Sequence, residues 1–237
     1  MWHAGLESRA PRKNTMSDEK RIEIQQKILV KNDELANELR REFRARGMTV
    51  LNVISSPGSG KTMLLERTLD DLASGMKMAV IVGDLETDND ADRLQGKGAP
   101  AVQIQTHGRC HLDAKLVSEA WKSMAAPETR LLIIENVGNL VCPTSYDLGE
   151  DLRVVLHAVT EGEDKPLKYP GIFRTADLVI ITKMDLAKAC EFDEALALKN
   201  IRQVAPQAEV LKLSAKSGEG LDAWYGFITG SAAPEAA

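Results

Sequence analysis

The first residues suited to chemistry form a glycine-rich stretch at positions 55–62, which reads Ser-Ser-Pro-Gly-Ser-Gly-Lys-Thr. A strand is predicted just before it and a helix just after, so backbone N–H groups and the helix N-terminus would converge on a phosphate group. Lys61 would reach the β- and γ-phosphates of a nucleotide, and the Thr62 hydroxyl would bind Mg²⁺. The stretch departs from the strict G-x-x-x-x-G-K-[ST] pattern at Ser55. The predicted phosphate-binding residues are Pro57, Gly58, Ser59, Gly60, Lys61 and Thr62.

Two acidic residues at the ends of predicted strands suit a nucleotide–magnesium site. Asp84 follows one strand and Glu135 ends another. Because the carboxyl ends of strands in a doubly wound sheet meet at the ligand crevice, both carboxylates are expected near the phosphates. Asp84 is predicted to join Thr62 as a Mg²⁺ ligand, with Glu135 in the outer shell of the ion, and either Asp84 or Asp88 would orient the attacking water. The predicted catalytic residues are Lys61, Asp84 and Glu135.

A third group of residues predicts which base the nucleotide carries. The strand predicted at 178–182 runs into Lys183 and Asp185, and the next strand runs into Ser214, Ala215 and Lys216. A carboxylate at Asp185 can accept hydrogen bonds from N1–H and from the 2-amino group of guanine, a donor pair that adenine lacks. A site built around that carboxylate would therefore select guanine strongly. The Lys183 stem would lie along the base, and residues 214–216 would offer backbone N–H groups to the base oxygen.

Thiol and imidazole groups form a candidate metal site. Cys110 and His111 are adjacent at the start of a helix predicted over 111–125, where the helix dipole favours a thiolate, and Cys142 follows a neighbouring strand. Both ligand types suit Zn²⁺ and Ni²⁺. Three ligands are one short of a tetrahedron, so water or a second subunit would complete the site. The alternative is that two unrelated cysteines fill space beside a histidine.

The elements that must position these residues alternate between strand and helix. Apolar positions with helical spacing predict a long amphipathic helix over 21–45. Beyond it, strands are predicted at 50–55, 78–82, 101–105, 131–135, 153–159, 178–182 and 209–213, and helices from 60 and at 89–95, 111–125, 192–205 and 221–229. This alternation favours an α/β fold in which a mostly parallel sheet is covered by helices on both faces.

Length and composition indicate one domain. The chain has 237 residues and a net charge of −5, and we expect a disordered tail at 1–19, one domain over 20–230 and a loose tail at 231–237. Met16 would also make a natural start, which leaves open whether residues 1–15 are native. The acidic balance argues against nucleic acid as a partner, and apolar runs of strand length argue against a membrane. Three cysteines cannot all pair within one molecule, which favours a reduced, cytoplasmic protein.

Taken in order, these residues resemble the HypB family, the hydrogenase-maturation GTPases that take part in nickel insertion. The resemblance runs from about residue 20 to residue 228 and is carried by the stretches at 31–33, 55–62, 89–93, 108–114, 135–143, 166–170, 182–185 and 214–218. It implies a P-loop NTPase fold, hydrolysis of GTP to GDP and phosphate, and a GTP-dependent homodimer with nickel or zinc bound by Cys110, His111 and Cys142 at the subunit interface. It also implies two partners, a HypA-type accessory protein and the large subunit of [NiFe]-hydrogenase.

The function predicted from this resemblance is a GTP-hydrolysing metallochaperone for nickel insertion, with GTP or GDP, Mg²⁺, Ni²⁺ and Zn²⁺ as ligands. The nucleotide and metal sites are expected to be coupled. Thr182 stands where GTPases usually have asparagine; it keeps a hydroxyl but removes an amide, which bears on loop rigidity rather than on base choice. Three alternatives stay open: a metal carrier with incidental nucleotide turnover, an ATP-driven relative, and a related GTPase of urease or cobalamin-enzyme maturation.

Overall fold

The computed structural model describes residues 18–84, 93–94, 96–106, 108 and 110–231. Most of both predicted tails and most of the helix predicted at 89–95 lie outside these residues, as does Asp88. Within the described part of the chain, no helix combines the length and the apolar character needed to cross a bilayer.

One parallel sheet forms the centre of the molecule. Its seven strands run in the spatial order β3-β2-β4-β1-β5-β6-β7, and each neighbouring pair is parallel. This arrangement confirms the predicted α/β fold with a parallel sheet. The strands are β1 Thr49–Ser55, β2 Met78–Asp84, β3 Ala101–Gln105, β4 Leu131–Glu135, β5 Leu152–Ala158, β6 Leu178–Thr182 and β7 Glu209–Lys212.

Helices cover both faces of the sheet, as predicted. In the described residues these are α1 Asp18–Ala45, α2 Lys61–Leu72, α3 Ala114–Ser123, α4 Lys165–Lys168, α5 Pro170–Arg174, α6 Glu194–Val204 and α7 Leu221–Ser231, with 3₁₀ turns at Cys142–Ser145, Val159–Glu161 and Met184–Leu186. Central strands bury both faces, so they read as continuous apolar runs; all five residues of β4 are buried.

Separate apolar clusters fix the helices to the sheet. On one face α2 and α7 pack through residues such as Leu65 and Trp224. On the other face α1 and α3 meet where the Phe43 and Trp121 rings pack edge to face with centroids 5.6 Å apart. Further along that second face, α5 and α6 cover β5 and β6 with residues such as Phe173. The fold therefore places α1 directly beside the helix that follows Cys110 and His111.

Several predicted boundaries were wrong in informative ways. Helix α1 begins at Asp18, inside the segment assigned to the tail, because polar residues extend a helix without contributing to its apolar periodicity. The helix predicted from residue 111 begins at Ala114, since the Asp113 carboxylate caps it by accepting from Leu116 N at 2.9 Å. The short helices α4 and α5 were not predicted, and each carries a proline in its first turn, where proline starts a helix instead of breaking it.

Candidate functional site

The glycine-rich loop after β1 has the backbone conformation of an anion-binding turn. Gly58 and Gly60 have φ angles of +73° and +94°, a region that other residues adopt at a steric cost. The Ser59 hydroxyl closes the turn by donating to Ser56 O at 3.0 Å. Helix α2 begins directly after Gly60 with no side-chain cap on its N-terminus. Its first N–H groups are therefore available to a bound phosphate.

Lys61 and Thr62 are each held by a neighbouring side chain. Lys61 is buried, and its Nζ donates to the Ser55 Oγ at 3.1 Å, so the residue that breaks the strict motif contacts the lysine. Thr62 Oγ1 donates at 2.8 Å to Glu135 Oε1, whose side chain is also buried. Strand β2 ends at Asp84, but the side chain of Asp84 lies outside the described part of the structure, and its roles stay predictions.

The candidate base-binding loops are tied to the phosphate loop. Thr182, at the end of β6, donates from Oγ1 to Ser59 O at 2.8 Å and is only 3% exposed. Lys183 takes a left-handed conformation with φ +60°, and Asp185 Oδ1 accepts from Ser214 Oγ at 2.6 Å. The Thr182 hydroxyl, which stands where asparagine is usual, therefore links the end of β6 to the phosphate loop.

Both groups of loops face one cleft of about 520 Å³. Except for Asp84, the predicted nucleotide-site residues all line it, namely Pro57, Gly58, Ser59, Gly60, Lys61, Thr62, Glu135, Lys183, Asp185, Ser214, Ala215 and Lys216. The cleft lies at the carboxyl ends of the central strands, beside β1, where ligands bind in open parallel sheets. Its volume falls within the range of small-molecule and cofactor pockets.

Glu161 is a residue in contact with the phosphate loop that the sequence prediction missed. Its carboxylate accepts from Ser59 Oγ at 3.1 Å and from Ala158 N at 2.9 Å, and it lies 3.1 Å from Lys165 Nζ. Burial alone would raise the pKa of Glu161, but hydrogen bonds from Ser56, the Ala158 N–H and Lys165 outweigh it and lower the pKa. The missed signal is an acidic residue soon after a strand, the pattern that predicted Asp84 and Glu135.

The predicted metal ligands come together in space. Their ligand atoms, from Cys110, His111 and Cys142, all lie within 4.8 Å of one another, and Cys110 Sγ is 3.7 Å from His111 Nδ1. Two sulfurs and an imidazole suit a borderline-soft cation such as Zn²⁺ or Ni²⁺. Because α3 begins only at Ala114 and Asp113 occupies its cap, the prediction that Cys110 and His111 lie at the helix start was wrong.

Neighbouring groups orient these ligands. The His111 ring stacks on Tyr146 with centroids 3.9 Å apart and an interplanar angle of 26°. Asn139 lies within hydrogen-bond distance of the Cys142 sulfur, with Nδ2 3.7 Å from Sγ. A hydrogen bond with Cys110, desolvation and the charge of Cys110 raise the pKa of the Cys142 thiol. These contacts therefore favour the neutral form of the Cys142 thiol in the absence of a cation.

One further cysteine and one further histidine lie outside the metal cluster. Cys190 is an exposed free thiol. His157 is fully buried in β5, between Phe173 and Phe192. Burial lowers the pKa of His157.

A parallel sheet with a phosphate loop after β1 and a ligand cleft beside it defines a P-loop nucleotide-binding protein.

Comparisons with known proteins identify the family. The profile described as CobW/HypB/UreG, nucleotide-binding domain, matches residues 49–212. Hydrogenase maturation factor HypB of Rhizobium leguminosarum bv. viciae is 48% identical over 221 residues, covering 93% of this chain and 74% of that protein. The chain belongs to the HypB hydrogenase maturation factors of the CobW/HypB/UreG family, and the resemblance predicted from its motifs is confirmed.

Solved structures agree with this assignment. The crystal structure of HypB from Archaeoglobus fulgidus superposes with a TM-score of 0.81 at 37% identity, covering 86% of this chain and all of that one. The crystal structure of HypB from Helicobacter pylori in complex with nickel also has a TM-score of 0.81, at 43% identity, covering 85% of this chain and 95% of that one. These two solved structures therefore confirm the P-loop NTPase fold of this chain.

Proposed function

We propose that this protein is a GTP-hydrolysing metallochaperone that binds nickel or zinc and assists nickel insertion into [NiFe]-hydrogenase. The observation that carries the proposal is one continuous segment, residues 135–142, that starts in the nucleotide cleft at Glu135 and ends in the metal cluster at Cys142. Two relatives support it: the Rhizobium protein is named a hydrogenase maturation factor, and the Helicobacter pylori structure is a complex with nickel.

The nucleotide half of the function is assigned to GTP. The Ser214 hydroxyl fixes one oxygen of Asp185, which leaves the carboxylate oriented towards the cleft for the N1–H and 2-amino donors of guanine. Lys61 and the loop N–H groups would stabilise charge on the transferring phosphoryl group as water attacks and GDP leaves. Mg²⁺, when bound, supplies further positive charge at the phosphates, and Thr62 with Asp84 would hold it, with Glu135 positioning the Thr62 hydroxyl.

The metal half uses two thiolates and one imidazole. Nickel is the cargo in this proposal, so an open fourth position is an advantage, because a cargo ion must leave for another protein. Water or a second copy of the chain would complete the coordination, which favours a homodimer with the cluster at its interface. A HypA-type accessory protein and the hydrogenase large subunit are the partners proposed for delivery, in a reducing cytoplasm that keeps the cysteines as thiols.

Coupling between the two halves follows from contacts along residues 135–142. Glu135 accepts from Thr62, the residue assigned to Mg²⁺. Gly138 lies against the phosphate loop so closely that an added Cβ would be 3.1 Å from Pro57 Cγ. Since the same segment ends at Cys142, loss of the γ-phosphate would shift the thiol that binds the metal, and metal would change nucleotide affinity reciprocally.

The experiment that tests this function measures nickel per chain by equilibrium dialysis with Mg²⁺ and either a non-hydrolysable GTP analogue or GDP, while light scattering follows mass. We expect bound nickel and dimer mass to change together between the two nucleotides. The His111→Ala variant should lose nickel, and Cys190→Ser is the matched control because Cys190 is exposed and outside the cluster. Equal nickel binding in both nucleotide states would refute the coupling.

A second experiment separates a GTP-driven chaperone from a passive carrier. Lys61→Ala removes the buried ammonium that lines the cleft and that the proposed function assigns to the nucleotide phosphates. If the protein were a carrier with incidental turnover, this variant would still support hydrogenase maturation. The proposed function predicts instead that maturation fails although the variant still binds nickel.

A further inference from the structure

Asn32 lies in the stretch Lys31-Asn32-Asp33, for which neither the nucleotide site nor the metal cluster provides a role. The residue is on α1, yet its side chain is 7% exposed and points away from solvent. Asn32 Oδ1 accepts from Ala114 N at 2.9 Å, and Asn32 Nδ2 donates to Asp147 O at 2.8 Å. One amide group therefore bridges two chain segments that are distant in sequence.

These two segments are the ones that carry the metal ligands. The first ligand arm, residues 110–114, contains Cys110 and His111 and ends at the N–H that Asn32 accepts. The second ligand arm, residues 142–147, contains Cys142 and ends at the carbonyl to which Asn32 donates. The Asn32 amide thus links the two arms at residues 114 and 147, and the ligand atoms of the two arms lie together at residues 110, 111 and 142.

We propose that Asn32 is a positioning residue for the metal cluster, and that through it helix α1 sets the separation of the two ligand arms. The inference rests on the proposed metal-binding function and adds a residue to it. The side-chain amide carries an acceptor oxygen and a donor nitrogen at a fixed angle, and these match the N–H of Ala114 and the carbonyl of Asp147. A carboxylate of the same shape would accept from Ala114 N but would repel the Asp147 carbonyl oxygen.

Other contacts anchor the same arrangement to α1 and to the sheet. Arg40, also on α1, donates from Nη2 to both oxygens of the Asp147 carboxylate, at 2.6 and 2.7 Å. The Asn136 Oδ1 accepts from Leu112 N at 3.4 Å, inside the first ligand arm. These contacts keep each arm attached when Asn32 is replaced, so the expected result is a weakened site and not a lost one.

The test is a nickel titration of the full chain, metal-free and reduced, against a chromophoric chelator that competes for nickel. Asn32→Ala removes both hydrogen bonds, and Asn32→Asp removes the one to Asp147. Both variants should raise the Kd for nickel about tenfold, the scale seen when groups behind metal ligands are removed. Glu38→Ala is the matched control, because Glu38 is exposed on the same helix.

A spectroscopic reading separates positioning from a general loss of structure. The thiolate-to-nickel charge-transfer band should shift or weaken in the Asn32 variants at nickel saturation, because ligand geometry differs even when the ion is bound. A general loss of the fold would weaken GDP binding together with nickel binding, whereas displaced ligand arms weaken nickel binding selectively. If Asn32→Ala does not fold, as judged by circular dichroism, the Asn32→Asp titration decides the matter.

The outcomes also distinguish this inference from the function on which it rests. Nickel binding to His111→Ala at the wild-type Kd would overturn the metal cluster itself and with it the proposed function. Loss of nickel from His111→Ala, combined with a wild-type Kd and spectrum for the Asn32 variants, would overturn only the role of Asn32.

Discussion

The hydrogen bond from Thr182 to the carbonyl of Ser59 allows a sharp test of how the cleft is built. Replacing Thr182 with valine keeps the shape of the side chain and removes the donor. Both groups are buried, with Thr182 3% and Ser59 1% exposed, so the Ser59 carbonyl would lose its 2.8 Å partner without access to water. Leaving a buried acceptor unsatisfied costs about 1–3 kcal/mol.

That cost should appear in two measurements. The free energy of unfolding in urea should fall by about 1–3 kcal/mol, because the unfolded chain hydrates both groups. The Kd for a fluorescent GDP analogue should rise by about 5- to 30-fold, the factor that corresponds to one or two kcal/mol, since binding must restore the loop conformation that the hydrogen bond maintains. Thr182→Ser retains the hydroxyl and is the matched control. If valine and serine gave the same Kd and unfolding free energy, the hydrogen bond would have no role in ordering the cleft.

Three further predictions concern the contact between the two sites, the base and the acid sensitivity of the fold. Gly138→Ala places a Cβ 3.1 Å from Pro57 Cγ, an overpacking that costs about 1–3 kcal/mol, and should weaken GDP-analogue binding in a fluorescence titration; unchanged affinity would contradict the contact. Asp185→Asn should weaken GTP binding roughly 100-fold and favour xanthosine triphosphate, whose base carries a carbonyl where guanine has the 2-amino group; an unaltered preference in competition assays would point to ATP instead. Burial lowers the pKa of His157 below the unfolded value of about 6.5, so the unfolded state binds more protons as pH falls through that value and stability declines by up to about 1.4 kcal/mol per pH unit. Urea unfolding of His157→Leu between pH 5.5 and 7.5 should show a flatter dependence, and an identical slope would exclude this residue as the cause.

The nucleotide site was accessible to sequence reasoning because each part of it is local. Residues 55–62 form one contiguous stretch, and Lys183, Asp185 and Ser214 directly follow strands. Once the strands are recognised as parallel, their carboxyl ends must share an edge of the sheet, so the grouping around one cleft follows without further information.

The details of the metal site required the tertiary structure. Residue types indicated Cys110, His111 and Cys142 as ligands, but chance occupation of the core stayed an equal alternative. Their ligand atoms lie within 4.8 Å of one another, and the contacts of Asn32 and of Tyr146 that accompany this grouping join distant segments and leave no periodic signal. The start of α3 has a local cause, because the Asp113 carboxylate caps the helix by accepting from Leu116 N. The spacing of apolar residues does not reveal that cap.

Glu161 shows a limit of a different kind. A carboxylate beside Ser59 was visible as an acidic residue after a strand, yet two more acids, Glu163 and Asp164, follow within three residues of it. Only the packing of Lys165 and the Ala158 N–H around one of these carboxylates distinguishes it from its solvated neighbours.

The order of the strands also determines when the three metal ligands can come together as the chain is synthesised and folds. Its ligands come from loops that follow β3 and β4, and the second loop cannot take its place until β4 has inserted between β1 and β2 in the sheet. A nascent chain therefore offers an adjacent thiol and imidazole but not the three-ligand arrangement. Nickel added to the finished protein should raise its melting temperature by mass action, because the folded form alone presents the full ligand set. The order of the strands thus delays assembly of the three-ligand group until β4 has paired with β1, the strand that leads into the phosphate loop.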